Sequence, residues 1–221
     1  MKKNFITIIF FLTCGFAISQ ENEFSLGVVG SYDNYSLQTL ESFGSNVYTF
    51  DIISAYALGI DFRYQTTNQL FIESGLLYTD KGYKVDYHFI FIDPNDPFIP
   101  KKSTVKLRSL GVPIMLGYNI KKSDKLNFYT SVGFLNEIVF DISETSTFED
   151  DSIKESNNVS KKIAKFFLSA QLNFGFGYQF NDKVELNISP YVRYGLNKIS
   201  NDLMEFNPIS YGGLIGLNYK F

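Results

Sequence analysis

Residues 166–180 read FFLSAQLNFGFGYQF. Phe166, Leu168, Ala170, Leu172, Phe174, Phe176, Tyr178 and Phe180 take alternate positions, with Phe167, Ser169, Gln171, Asn173, Gly175, Gly177 and Gln179 between them. Successive side chains of a strand point to opposite faces, so this pattern predicts one strand with an apolar face and a small, polar one. At ~3.3 Å per residue the stretch reaches ~50 Å, well beyond the about five or six residues of a common globular strand.

The same alternation recurs near 54–64, 109–120, 184–196 and 211–221, and more weakly at 24–32, 70–80 and 127–140. In the second of these, Leu110, Val112, Ile114, Leu116, Tyr118 and Ile120 oppose Ser109, Gly111, Gly117 and Asn119. The connections alternate in length. Those at 65–69, 121–125 and 181–183 are short and polar, whereas 33–51, 84–103, 143–162 and 200–209 are longer and are expected to be loops. Eight strands joined in this way describe an all-β, antiparallel, up-and-down transmembrane β-barrel, with both chain ends at the short-turn, periplasmic end.

Nothing in the sequence supplies a second layer to cover these apolar faces, because no helix-period segment remains beyond the first residues. Closing the sheet removes its two edges, and facing the apolar side outward lets it meet lipid. Tyr64, Tyr78, Tyr118 and Tyr194 lie near strand ends, where an interfacial aromatic girdle is expected. The rival all-β reading is a lipocalin-like soluble ligand-binding barrel, which needs an apolar interior and a polar outside. The small polar face argues instead for a narrow, packed lumen.

Composition fits this picture. Aromatic residues make up 17% of the 221-residue chain and charged residues 19%, a balance opposite to that of a disordered chain. The formal net charge is −3 and basic runs are short, so no nucleic-acid partner is expected. Lys2 and Lys3, the apolar run 5–12 and the small residues Ala17 and Ser19 predict a signal peptide over 1–19, leaving a barrel domain over 20–221. Cys14, the only cysteine, then falls in the leader.

Residues 106–118, KLRSLGVPIMLGY, resemble a pattern of the small outer-membrane β-barrel family of Bacteroidetes, the porin-family or PorT-like barrels. The matching positions are Arg108, Leu110, Val112, Pro113, Ile114, Leu116 and Tyr118. Gly111 departs from the pattern, which commonly has an acidic residue there. The likeness continues at 128–133, at 191–196 and in the aromatic C-terminus. It implies a location in the outer membrane. It also implies contact with outer-membrane lipid and lipopolysaccharide, and recognition by the barrel insertion machinery during biogenesis, for which Phe221 resembles the C-terminal signal. One relative, the PorT type, serves secretion, so a small pore or an accessory of an envelope transport system is the alternative role.

The search for chemistry finds little. His88 is the only histidine, and no nucleophilic Ser motif accompanies it, so no enzyme activity is expected. The acidic stretches 93–97 and 149–151 lack EF-hand spacing, and no metal or cofactor is expected. Asp151-Ser152-Ile153 resembles the short O-glycosylation site of Bacteroidetes envelope proteins. The charges on the polar faces are more informative: Asp61, Arg63, Glu73, Glu185, Arg193 and Lys220. Buried charge is costly unless paired, so they are expected to form a structural ion-pair network in the lumen. Aromatic residues assigned to the loops, including Tyr35, Phe43, Tyr48, Phe89, Phe91 and Phe98, are candidates for binding a surface ligand or protein.

Overall fold

The computed structural model describes residues 23–39, 48–51, 53–87, 100–123, 125–148, 150–156, 164–197, 199–201 and 204–221. Eleven β segments run in chain order: β1 (Phe24–Thr39), β2 (Tyr48–Asp51), β3 (Ile53–Gln65), β4 (Leu70–Tyr87), β5 (Pro100–Lys122), β6 (Leu126–Phe148), β7 (Ile153–Ser156), β8 (Phe166–Gln179), β9 (Val184–Gly195), β10 (Ile199–Asn201) and β11 (Met204–Lys220). Eight of them form one antiparallel ring in the order β1-β3-β4-β5-β6-β8-β9-β11, closed by pairing of β11 with β1. Val28, for example, faces Ile60 of β3 on one side and Leu217 of β11 on the other. The short segments β2, β7 and β10 add to β4, β6 and β11.

Short turns close the ring at the end where β1 begins and β11 finishes. Asn181 Oδ1 accepts from the amides of Lys183 and Val184, both at 2.9 Å, the side chain completing the turn as Asn commonly does. The Phe221 amide donates to the Phe24 carbonyl at 2.9 Å, and their rings lie 5.9 Å apart.

The predicted faces are those observed. Leu58 (67% exposed), Ile114, Leu116, Val132, Phe174, Val192 and Ile215 point outward, while Ser109 and Glu137 (both 0%), Ser131, Asn173 and Asn218 point in. On β5 the outward apolar run extends from Leu110 to Ile120, ~33 Å along a strand and ~25 Å once tilted, the height of a membrane belt. The lipocalin-like reading is corrected here, because in this band it requires the opposite faces.

A second correction concerns the expected loops. Segments within 33–51, 84–103, 143–162 and 200–209 continue as strands, including residues 33–39, 84–87, 100–103, 143–148 and 204–209. Above the belt the faces exchange character. Outward positions become Asp80, Lys84, Lys106, Arg108 and Asp141, whereas inward positions become Tyr83, Val85, Val105, Leu107, Val139 and Ile142. With Tyr35, Ala55 and Phe167 these inward residues form a buried apolar cluster capping the lumen. Each large member contributes about 1.5–3 kcal/mol by leaving water. Tyr35 is therefore an interior residue of β1 and not a loop aromatic. Phe43, Phe89, Phe91, Phe98, His88, the leader 1–19 and the stretch 93–97 lie outside the described residues, as does the side chain of Tyr48.

A β-bulge marks the change. The β5–β6 register shifts between Arg108 and Ser109, so that Phe140 and the adjacent Asp141 both face out. Phe140 joins the belt against Tyr78, with rings 6.1 Å apart, and Asp141 meets Arg108 at 3.0 Å on the rim.

Candidate functional site

The barrel interior holds the clustered chemistry of the described residues, in layers set by strand register. Nearest the short turns, Arg63 of β3 donates to Glu73 Oε2 of β4 at 2.9 Å. Its Nη1 stands 3.6 Å from Glu185 Oε1, and Lys220 Nζ lies 2.7 Å from Glu185 Oε2. The guanidinium is held between two rings, 4.5 Å from the Phe71 centroid and 4.4 Å from that of Tyr129. Glycine makes this possible: a methyl group on Gly117 would stand inside the Phe71 ring, and one on Gly175 inside the Tyr129 ring. The Tyr129 hydroxyl is then fixed by Ser189 Oγ at 2.7 Å.

Amides carry the network sideways. Asn218 Nδ2 donates to Asp61 Oδ2 at 2.6 Å, and Asn187 Nδ2 donates to Asn218 Oδ1 at 3.0 Å. Higher up, Arg193 Nε donates to Gln171 Oε1 at 3.0 Å, Gln171 to Asn173 and Asn173 to Ser131. Arg193 also stands 4.0 Å from Asp33 Oδ2. Under the apolar cap, Lys81 Nζ donates to Glu137 Oε2 at 2.6 Å, and Ser109 Oγ donates to Glu137 Oε1 at 3.0 Å.

The structure thus brings Arg63, Glu73, Glu185 and Lys220 into one network and joins Asp61 to it through Asn218. It sets Arg193 apart in an upper network with Asp33. Sequence reasoning missed Asp33, Lys81 and Glu137. Phe221 sits at the end of the chain, 73% exposed on the outer face. Asp150, Asp151 and Ser152 form the β6–β7 turn, where Asp151 has a φ of 59°. Hydrogen bonds from the side chain and amide of Ser152 hold the Asp150 carboxyl below its usual range. No group of three or more His, Cys, Asp or Glu placed to hold a metal ion occurs among the described residues.

Among the described residues, cavities lie in the interior at two heights. One, at mid-height, lies between Leu77, Met115, Leu214 and the Asp61–Asn218 pair. The other opens toward the short-turn end between Ser25, Asn127, Glu185 and Lys220.

Among solved structures, the chain is similar to the outer membrane protein OprG from Pseudomonas aeruginosa, with 15% identity and a TM-score of 0.52, covering 90% of this chain and 96% of that one. It is also similar to Neisserial surface protein A, with 13% identity and a TM-score of 0.46, covering 89% and 97%. A third likeness is to the outer membrane protease OmpT from Escherichia coli, with 10% identity and a TM-score of 0.42, covering 92% and 98%. At these identities the likeness concerns the fold alone. No curated protein matches the chain. The family model described as "Outer membrane protein beta-barrel domain" matches residues 6–221. The closed ring, the apolar belt and this match together make the chain a member of the outer membrane β-barrel domain family and a protein of the outer membrane.

Proposed function

We propose that this protein is a non-conducting surface-display barrel, which anchors its upper hairpins in the outer membrane and binds a surface ligand or protein through the loops that join them. The observation that carries this reading is the exchange of faces above the belt. The ring continues past the lipid as a water-facing stem with its own apolar core, raising the hairpin ends clear of the membrane. A rigid scaffold presenting loops is a common arrangement for binding. The reading includes no catalytic step. It takes residues 1–19 as a leader removed on export and Phe221 as the signal read by the insertion machinery. It also places lipid and lipopolysaccharide against the outer belt, and the Pro113 strand motif supports an origin among Bacteroidetes.

Planar-bilayer recording of the purified barrel separates this role from that of a small pore. No steady conductance is expected, because the paired charges and the apolar cap fill the lumen. A stable, large, ion-selective channel would contradict it.

A further inference from the structure

Three side-chain oxygens line the cavity at the short-turn end and have no hydrogen-bond partner among the described residues: Glu185 Oε1, Asn187 Oδ1 and Asn127 Oδ1. Each of the three residues is more than nine-tenths buried. Buried acceptors without donors are costly, so their grouping calls for a physical reason.

Their orientation is fixed from behind. Asn119 Nδ2 donates to the Asn68 carbonyl at 3.5 Å, and Asn127 Nδ2 donates to Asn119 Oδ1 at 3.1 Å. On the other side Asn218 Nδ2 is committed to Asp61, and Asn187 Nδ2 to Asn218 Oδ1. Glu185 Oε2 accepts from Gln179 Nε2 at 3.4 Å and pairs with Lys220. In each case these bonds use the opposite end of the group and leave one oxygen over. Gly177 lies beside two of these oxygens and opposite the residue that carries the third. It is the cross-strand partner of Asn127 on β6 and of Asn187 on β9. A methyl group on Gly177 would stand 2.6 Å from Glu185 Oε1 and 3.0 Å from Asn187 Oδ1. Arg63 Nη1 is 3.6 Å from Glu185 Oε1, beyond hydrogen-bond reach, and Arg63 already serves Glu73.

A set of oxygens with no thiolate or imidazole suits a small, hard cation. The charge of the lining favours a cation. The carboxylates of Asp61, Glu73 and Glu185, with Glu23 at the edge of the cavity, outnumber the two cations Arg63 and Lys220. One carboxylate and two amides are sparse for calcium, which takes about six to eight oxygens. We propose that the lumen holds one monovalent alkali cation above Gly177, between Glu185 Oε1, Asn187 Oδ1 and Asn127 Oδ1. There it ties β6 and β9 together across the side-chain-free position of β8. The conductance experiment does not bear on this site, because a resident ion and a closed lumen are compatible.

The test uses the folded chain in detergent micelles and follows the temperature of half-unfolding by heat-modifiable gel migration. Sodium chloride is compared with choline chloride at equal ionic strength. Sodium is expected to raise the midpoint by ~3–6 °C, as a ligand bound to the folded state alone would. Gly177→Ala, which fills the space, and Asn127→Leu, which removes one oxygen, are each expected to abolish the sodium-dependent difference whatever their absolute midpoints. Either variant suffices if the other does not fold. Equal midpoints in the two salts for the unaltered protein, or a difference that persists in the folded variants, would overturn the proposal and leave water as the occupant.

Discussion

Lys81 and Glu137 face each other across the upper lumen, 2.6 Å apart, with side-chain exposures of 5% and 1%. Two ions taken out of water need good geometry and further hydrogen bonds to offset the loss of hydration. Here Ser109 supplies one such bond, and the rings of Tyr35 and Phe167 lie 5.4 and 5.3 Å from the ammonium. Lys81→Met is expected to cost about 3–5 kcal/mol, because it leaves the Glu137 charge buried and unpaired. The combined change Lys81→Met with Glu137→Leu is expected to recover most of that loss. Urea titrations of the barrel in lipid vesicles check both, and equal losses for the single and combined variants would contradict the account. This pair was not legible in the sequence. Lys81 and Asp33 each stand one residue past the point where apolar alternation, read as 70–80 and 24–32, breaks off. Glu137 lies on the polar face of the strand read at 127–140, as Glu73 does at 70–80, but its partner Lys81 lies outside any strand so read. Arg63, Glu73 and Glu185 were legible because each interrupts a small, polar face within a recognised strand.

At the scale of an element, β4 and β5 each carry two amphipathic patterns of opposite phase, whereas on β6 the bulge makes the exchange of faces and apolar residues stay at even positions. On β5, Leu110 to Ile120 put apolar residues at even positions, whereas Val105 and Leu107 put them at odd ones. One continuous apolar face ends at the reversal, so the sequence beyond it reads as loop. The phase change is nonetheless visible in the sequence once two environments, lipid below and water above, are allowed for one strand. It has a mutational signature. Leu116→Arg, on the outward face near the middle of the belt, is expected to destabilise by about 2–4 kcal/mol. Lys106→Ala, also outward but above the belt, is expected to stay within about 0.5 kcal/mol. Denaturant midpoints in vesicles compare the two, and a costly Lys106 change beside a tolerated Leu116 change would contradict the placement of the boundary. The rim bridges from Arg108 to Asp80 at 3.4 Å and to Asp141 at 3.0 Å add little to stability, because Arg108 is 46% exposed.

For the whole molecule, ring closure and two-environment polarity explain one another. Closure leaves the eight ring strands without a free edge in hydrocarbon. It also makes an interior just wide enough to fill with side chains, so charges placed there must pair. The eight strands, their meander and the outward apolar face were legible from periodicity and connection length. The layering of the lumen was not, because it depends on register between strands that are distant in sequence. Asp61 and Asn218, joined at 2.6 Å, come from β3 and β11 and stand 157 residues apart in sequence. The most direct test labels single cysteines placed at each position from 104 to 120 of β5, in a chain whose only native cysteine is Cys14. Spin-label accessibility in lipid vesicles is then read against dissolved oxygen and a water-soluble relaxant. The expected result is oxygen access at even positions 110–120, water access at 104, 106 and 108, and protection at odd positions. Water access at 114 and 116, or oxygen access at the odd positions, would contradict the account.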